Sequence, residues 1–203
     1  VLEWNQGAKD DIDLYVQDPL GGVTSFRHPR VNFSHLDKDD LGARNDTTTL
    51  PNGTIRTIPI NREVISIRGI IPGEWVVNAH YYSTYATSST NGDVIVYNHK
   101  KNQDYSLSVK VELHRVNPYE ILGMWEKKFT EKGQEETFVR FTLDRDGNLI
   151  GPFEFEGKKF VTPAGQIGAG VMQNQGATTA AAFEGYEEDR GADPHDLSGI
   201  GGP

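Results

Sequence analysis

Cysteine is absent from this chain, and that absence removes disulfides, thiolate metal sites and a cysteine nucleophile at once. It leaves the compartment open, since a virion protein or a bacterial periplasmic one needs no cysteine. No apolar stretch approaches the roughly 20 residues of a membrane-spanning helix, and no signal-peptide pattern is visible. The first residue is Val1 rather than Met, which leaves open a targeting or anchoring segment ahead of it. Clustered Lys and Arg are missing as well. The formal net charge is −9, and the Lys pairs at 100–101, 127–128 and 158–159 are isolated and read as solvated strand ends. Nucleic acid and anionic membrane surfaces, which select for basic patches, are disfavoured as main partners.

Catalytic constellations are equally scarce. The histidines at 28, 35, 80, 99, 114 and 195 have no metal-ligand spacing, and neither a Gly-x-Ser-x-Gly elbow nor a phosphate loop occurs. His80 shares a strand face with Asn78 and Tyr82, and His114 shares one with Glu112. Both read as partly exposed strand histidines rather than general bases. A non-enzymatic role is the expectation.

Apolar residues make up 36% of the 203 positions, and they are unevenly spread. From Thr162 onward large apolar side chains almost vanish. Residues 1–161 therefore read as one packed domain, and 162–203 as a low-complexity extended arm. Such an arm cannot bury enough surface to offset its ordering entropy, about 1–2 kcal/mol per residue for the backbone. It is expected to lie against a neighbouring subunit, anchored by Phe183 and Tyr186, the only aromatic residues in it.

Within 1–161 the dominant signal is alternation. Glu63–Arg68, Glu74–Tyr82, Tyr105–Val116, Ile121–Thr130, Glu136–Asp144 and Leu149–Phe155 each follow the period of a strand. Pro72-Gly73, Asn91-Gly92, Gly133 and Asp146-Gly147 punctuate them as hairpin turns do. The pattern predicts an all-β fold, an antiparallel β-sandwich interrupted by a long polar, acidic loop from Pro29 to Pro59. Its core is expected to hold Ile12, Leu14, Val16, Ile65, Ile67, Trp75, Val77, Leu107, Val109, Val111, Leu113, Val139, Phe141 and Leu143. Trp4, Trp75 and Trp125 sit in strand-like runs and are read as packing residues rather than a sugar-binding platform.

Two features remain. In Asp10–Gln17 the apolar Ile12, Leu14 and Val16 alternate with Asp11, Asp13 and Tyr15, as in a half-buried strand. Asp11 and Asp13 thus leave one face about 7 Å apart, and like charges so placed need a reason. Downstream, Asp37, Asp39, Asp40 and Asp46 crowd the long loop. Oxygen ligands without cysteine, and with only His35 nearby, point to Ca²⁺ over Zn²⁺. The EF-hand pattern fails, with Leu41 and Thr48 where acidic ligands belong. Asp11, Asp13, Asp37, Asp39, Asp40 and Asp46 are the candidate metal ligands, set against a reading as turn formers and solvated charges.

Trp4 followed by Asp11-Ile12-Asp13-Leu14-x-Val16-x-Asp18-Pro19-x-Gly21, then Leu36-Asp37-x-Asp39-Asp40-Leu41-Gly42-x-x-Asn45-Asp46, then Asn61-Arg62-Glu63-Val64-x-x-Ile67-Arg68-Gly69-Ile70-x-Pro72-Gly73-Glu74-x-x-Val77-Asn78, forms an ordered set of blocks. The set resembles a group of bacterial and phage-encoded proteins. In those, a short N-terminal membrane helix precedes a secreted β-domain, and some are encoded beside proton-channel proteins of the TolQ/ExbB type. The first two blocks also resemble the β-sandwich domains of YfaP-type proteins. The resemblance runs from about Leu2 to Leu149 and implies the fold more than the function. The arm after Phe160 departs from that group and favours a self-assembling structural protein.

The leading expectation is a structural or interaction module, built with other protein subunits into a virion or an envelope complex. The alternative is a periplasmic Ca²⁺-binding or ligand-sensing domain of a membrane-anchored protein, associated with a proton-channel complex.

Overall fold

The computed structural model describes residues 1–42, 46–84, 87–90, 93–96 and 106–161, with backbone alone for 84, 87–90 and 93–96. Every named element is a β-strand, and every pairing is antiparallel. One sheet runs β14 (Tyr119–Phe129), β13 (Leu107–Val116), β1 (Leu2–Trp4), β8 (Arg62–Glu63). The other runs β16 (Leu149–Glu154), β15 (Glu135–Leu143), β10 (Gly73–Thr84), β2 (Asp10–Gln17), β3 (Val23–Thr24). Alternation gives each sheet one apolar face, and the two faces share one core. Leu2, Trp4, Val109, Val111 and Phe129 come from the first sheet, and Ile12, Leu14, Trp75, Val77, Tyr81 and Val139 from the second. Each such side chain contributes about 1.5–3 kcal/mol on full burial. The fold is an all-β sandwich, as the alternation predicts.

Several local expectations need correction. The Pro29–Pro59 connection is not featureless. It carries β4 (Arg30–Val31) and β5 (Ser34–Leu36), which join β9 (Ile65–Ile67) in a ribbon, and a hairpin of β6 (Thr47–Thr49) with β7 (Ile55–Thr57). A further hairpin pairs β11 (Thr87–Thr90) with β12 (Asp93–Val96). The single strand expected over Glu63–Arg68 divides at Val64, its first part joining the sandwich and its second the ribbon. Ile67 is consequently 36% exposed, not a core residue. Ile65, Leu113 and Leu143 pack against the core from partly buried positions, as does Trp125. Gly133 and Gly147 have the positive φ their turns require. Asn91-Gly92 and the arm, with Phe183 and Tyr186, lie outside the described residues.

The largest departure concerns β2, which is buried on both faces. Ile12, Leu14 and Val16 enter the core, while Asp11 and Asp13, each 2% exposed, and Tyr15 are covered on the other side. The outer face of this sheet continues as a buried polar row through His80 and Asn78 on β10 to Glu135 and Thr137 on β15. The segment after β16 covers its far end. The Glu135 carboxylate accepts from the backbone N–H groups of Phe160 (2.8 Å) and Val161 (3.1 Å), and Asn78 Nδ2 donates to the Lys158 carbonyl (2.5 Å).

Candidate metal centre

Among the described residues, one group of acidic side chains converges. Asp13, Asp39 and Glu63 each offer a carboxylate oxygen, and these oxygens lie within 4.8 Å of one another. Three separate segments supply them. Asp13 comes from β2, Asp39 from the acidic connection and Glu63 from β8.

Local physics explains the convergence. Among the described residues no strand pairs with the outer edge of β2 along Asp10–Tyr15, since β3 pairs only with Val16 and Gln17. Glu63 fills that edge, its Oε2 accepting from the Leu14 N–H at 2.8 Å. Its Oε1 accepts from the Asp40 N–H at 3.1 Å, which brings the neighbouring Asp39 to the cluster. A carboxylate oxygen of Asp39 thus comes within 4.8 Å of one from Glu63. Gly42 completes the approach. Its φ is +59°, and a side chain there would meet the Asp10 carbonyl oxygen at 2.5 Å, so only glycine lets the loop press on β2.

Burial shapes the electrostatics. Desolvation pushes the Asp13 carboxyl above the ordinary range, partly offset by His80. It does the same for Asp39, partly offset by Glu63 and Lys38. Glu63 is raised furthest, by burial first and by the Asp13 charge as well, despite its two backbone donors. Tyr15 beside them is also raised, by burial and then by Asp13. Two buried carboxyls and a partly buried third, all resisting ionisation, can be relieved by protons or by a cation.

The other sequence candidates stand apart from this triad. Asp11 is buried on β2, opposite Ser83, beyond a bulge in the pairing. Asp37 belongs to an exposed network, 3.0 Å from both His35 Nδ1 and Ser66 Oγ. Asp40 is buried but already engaged, accepting from the Gly42 N–H (3.0 Å) and the Arg62 N–H (3.2 Å). Asp46 lines, with Asp37, Lys38, Asp40, Ile58, Ile60 and Arg62, a cleft of about 350 Å³ beside the cluster.

Glu63 is the ligand candidate that residue pattern missed. A signal was present: Glu63 shares strand parity with Ile65 and Ile67, so a carboxylate stood where an apolar residue was due. His80, expected to be partly exposed, is only 7% exposed and packs beside Asp13.

No protein-family profile matches this chain, and comparison with curated proteins and with solved structures gives no match either.

Proposed function

We propose that this chain is a non-enzymatic structural or interaction module whose acidic connection is clamped to the sandwich by a divalent cation, Ca²⁺ before others. The observation that supports this most is the meeting of Asp13, Asp39 and Glu63 oxygens within 4.8 Å. Two oxygens bound to one Ca²⁺ at about 2.4 Å can stand no more than about 4.8 Å apart. The donors are all hard oxygens, and the triad carries no imidazole or thiolate that would favour Zn²⁺. Both Glu63 oxygens accept backbone N–H groups, yet a carboxylate has about four lone-pair sites and retains two. Three carboxylates leave a shell of six to eight oxygens to be completed by carbonyls or water.

Such a cation ties β2, the acidic connection and β8 at one point. A covering loop made rigid in this way can present a fixed surface to other subunits, which accords with a place in a virion or an envelope complex. The rival reading, a periplasmic ligand-sensing domain beside a proton-channel complex, draws on the sequence blocks and on the cleft next to Asp40.

Thermal unfolding tests the clamp. At free Ca²⁺ one hundred times Kd the gain is about 2.7 kcal/mol, on the order of 5–10 °C in Tm for a chain of this size. An identical Tm in Ca²⁺ and in chelator would remove the cation from the account.

A further inference from the structure

His80 and Asp13 face each other directly in the antiparallel register of β10 and β2. His80 Nδ1 lies 3.6 Å from Asp13 Oδ2, and neither atom has a hydrogen-bond partner among the described residues. Both residues are more than nine-tenths buried. Buried polar atoms in this state are uncommon, and each calls for a partner. The ring is held by edge-on contacts with Tyr15 (centroids 6.2 Å, 89°) and Tyr82 (6.4 Å, 65°). On its other side stands Glu135, opposite His80 in the pairing with β15. The Glu135 carboxylate is committed to Asn78 Nδ2 and to the Phe160 and Val161 N–H groups. Asp13 is therefore the acceptor toward which His80 Nδ1 can close, by a few tenths of an ångström.

We infer that His80 is the positioning residue of the cation site: its Nδ1–H holds the Asp13 carboxylate in the orientation that meets the ion. The inference rests on the cation reading above. A histidine donor behind a ligating carboxylate limits the rotation of that carboxylate, so less freedom is lost on binding. It also provides for the Asp13 oxygen that otherwise lacks a donor.

Two substitutions separate positioning from packing. His80→Phe keeps a ring between Tyr15 and Tyr82 and removes the donor. His80→Asn removes the ring and keeps an N–H close to the place of Nδ1. Ca²⁺ affinity of the full chain is read by competition with a fluorescent chelator, and Tm in chelator reports packing separately. Positioning predicts Ca²⁺ binding about 10–100-fold weaker in His80→Phe, with His80→Asn the tighter of the two variants although its Tm in chelator is the lower. Wild-type affinity in His80→Phe, or weaker binding by His80→Asn than by His80→Phe, would overturn the inference while leaving the cation site standing. Failure of the wild-type chain to take up Ca²⁺ would overturn both.

Discussion

Glu63 Oε2 accepts the Leu14 N–H at 2.8 Å, joining a strand of one sheet to the open edge of a strand in the other. The bond satisfies a backbone donor that has no strand neighbour on that side among the described residues, and it fixes where the buried Glu63 carboxylate sits. Glu63→Gln keeps the shape but retains a single acceptor oxygen for two backbone N–H groups. A buried donor left unsatisfied costs about 1–3 kcal/mol. Urea unfolding in chelator is expected to show a loss of that order, and the Ca²⁺-dependent gain in Tm is expected to disappear with it.

The same triad sets a pH dependence. Burial raises the carboxyl pKa of Asp13, Asp39 and Glu63 above the unfolded values. Such groups bind protons more tightly in the folded state. Their stabilising contribution is full below the unfolded value of about 4 and is lost as pH rises through the raised folded values. In chelator, the stability difference between wild type and Glu63→Gln should therefore shift toward wild type as pH falls into that window. In Ca²⁺ the trend should reverse, because the ion competes with protons for the same oxygens. Urea midpoints measured across pH with and without Ca²⁺ check both signs.

Core substitutions distinguish two residues that alternation treats alike. Leu107 is fully buried, whereas Leu113, on the same face of β13, sits at the margin of the core. Leu107→Ala should cost about 2–5 kcal/mol by urea unfolding, and Leu113→Ala clearly less. Equal costs would mean that the core extends further along β13 than its burial indicates.

These leucines also show what was legible in the sequence. Period-two alternation gave the long strands and the face each buries, because side-chain direction along a strand is fixed by the backbone. Where β13 leaves the sandwich, and so where its apolar face stops being covered, depends on sheet stagger, which alternation does not encode. The site divides in the same way. Asp13 and Asp39 were readable as acidic residues in suggestive places. Glu63 was hidden because its role comes from the free edge of β2, a property of strand order. His80 was hidden because its burial depends on side chains that cover the outer face of the second sheet.

The end of the described domain gives another expectation. Lys158 and Thr137 are joined through the Lys158 N–H and Thr137 Oγ1 at 2.8 Å, and Phe160 and Val161 cap the buried Glu135 carboxylate. Truncation after Val161 should leave the Tm of the sandwich nearly unchanged. Truncation after Glu156 removes those donors and should lower it, since charged acceptors lose bonds worth about 1.5–3 kcal/mol each. Under the assembly reading the shorter arm should also weaken association, seen as a smaller species by light scattering.

The most direct test of the account is a calorimetric titration of Ca²⁺ into chelator-treated protein at neutral pH, with Asp39→Asn and Asp37→Asn beside the wild type. Asp39 belongs to the converging triad, whereas Asp37 belongs to an exposed network with His35 and Ser66. The account predicts one saturable site in the wild type, its loss in Asp39→Asn and its retention in Asp37→Asn. No binding heat together with an unchanged Tm, or a site lost in Asp37→Asn but kept in Asp39→Asn, would contradict it.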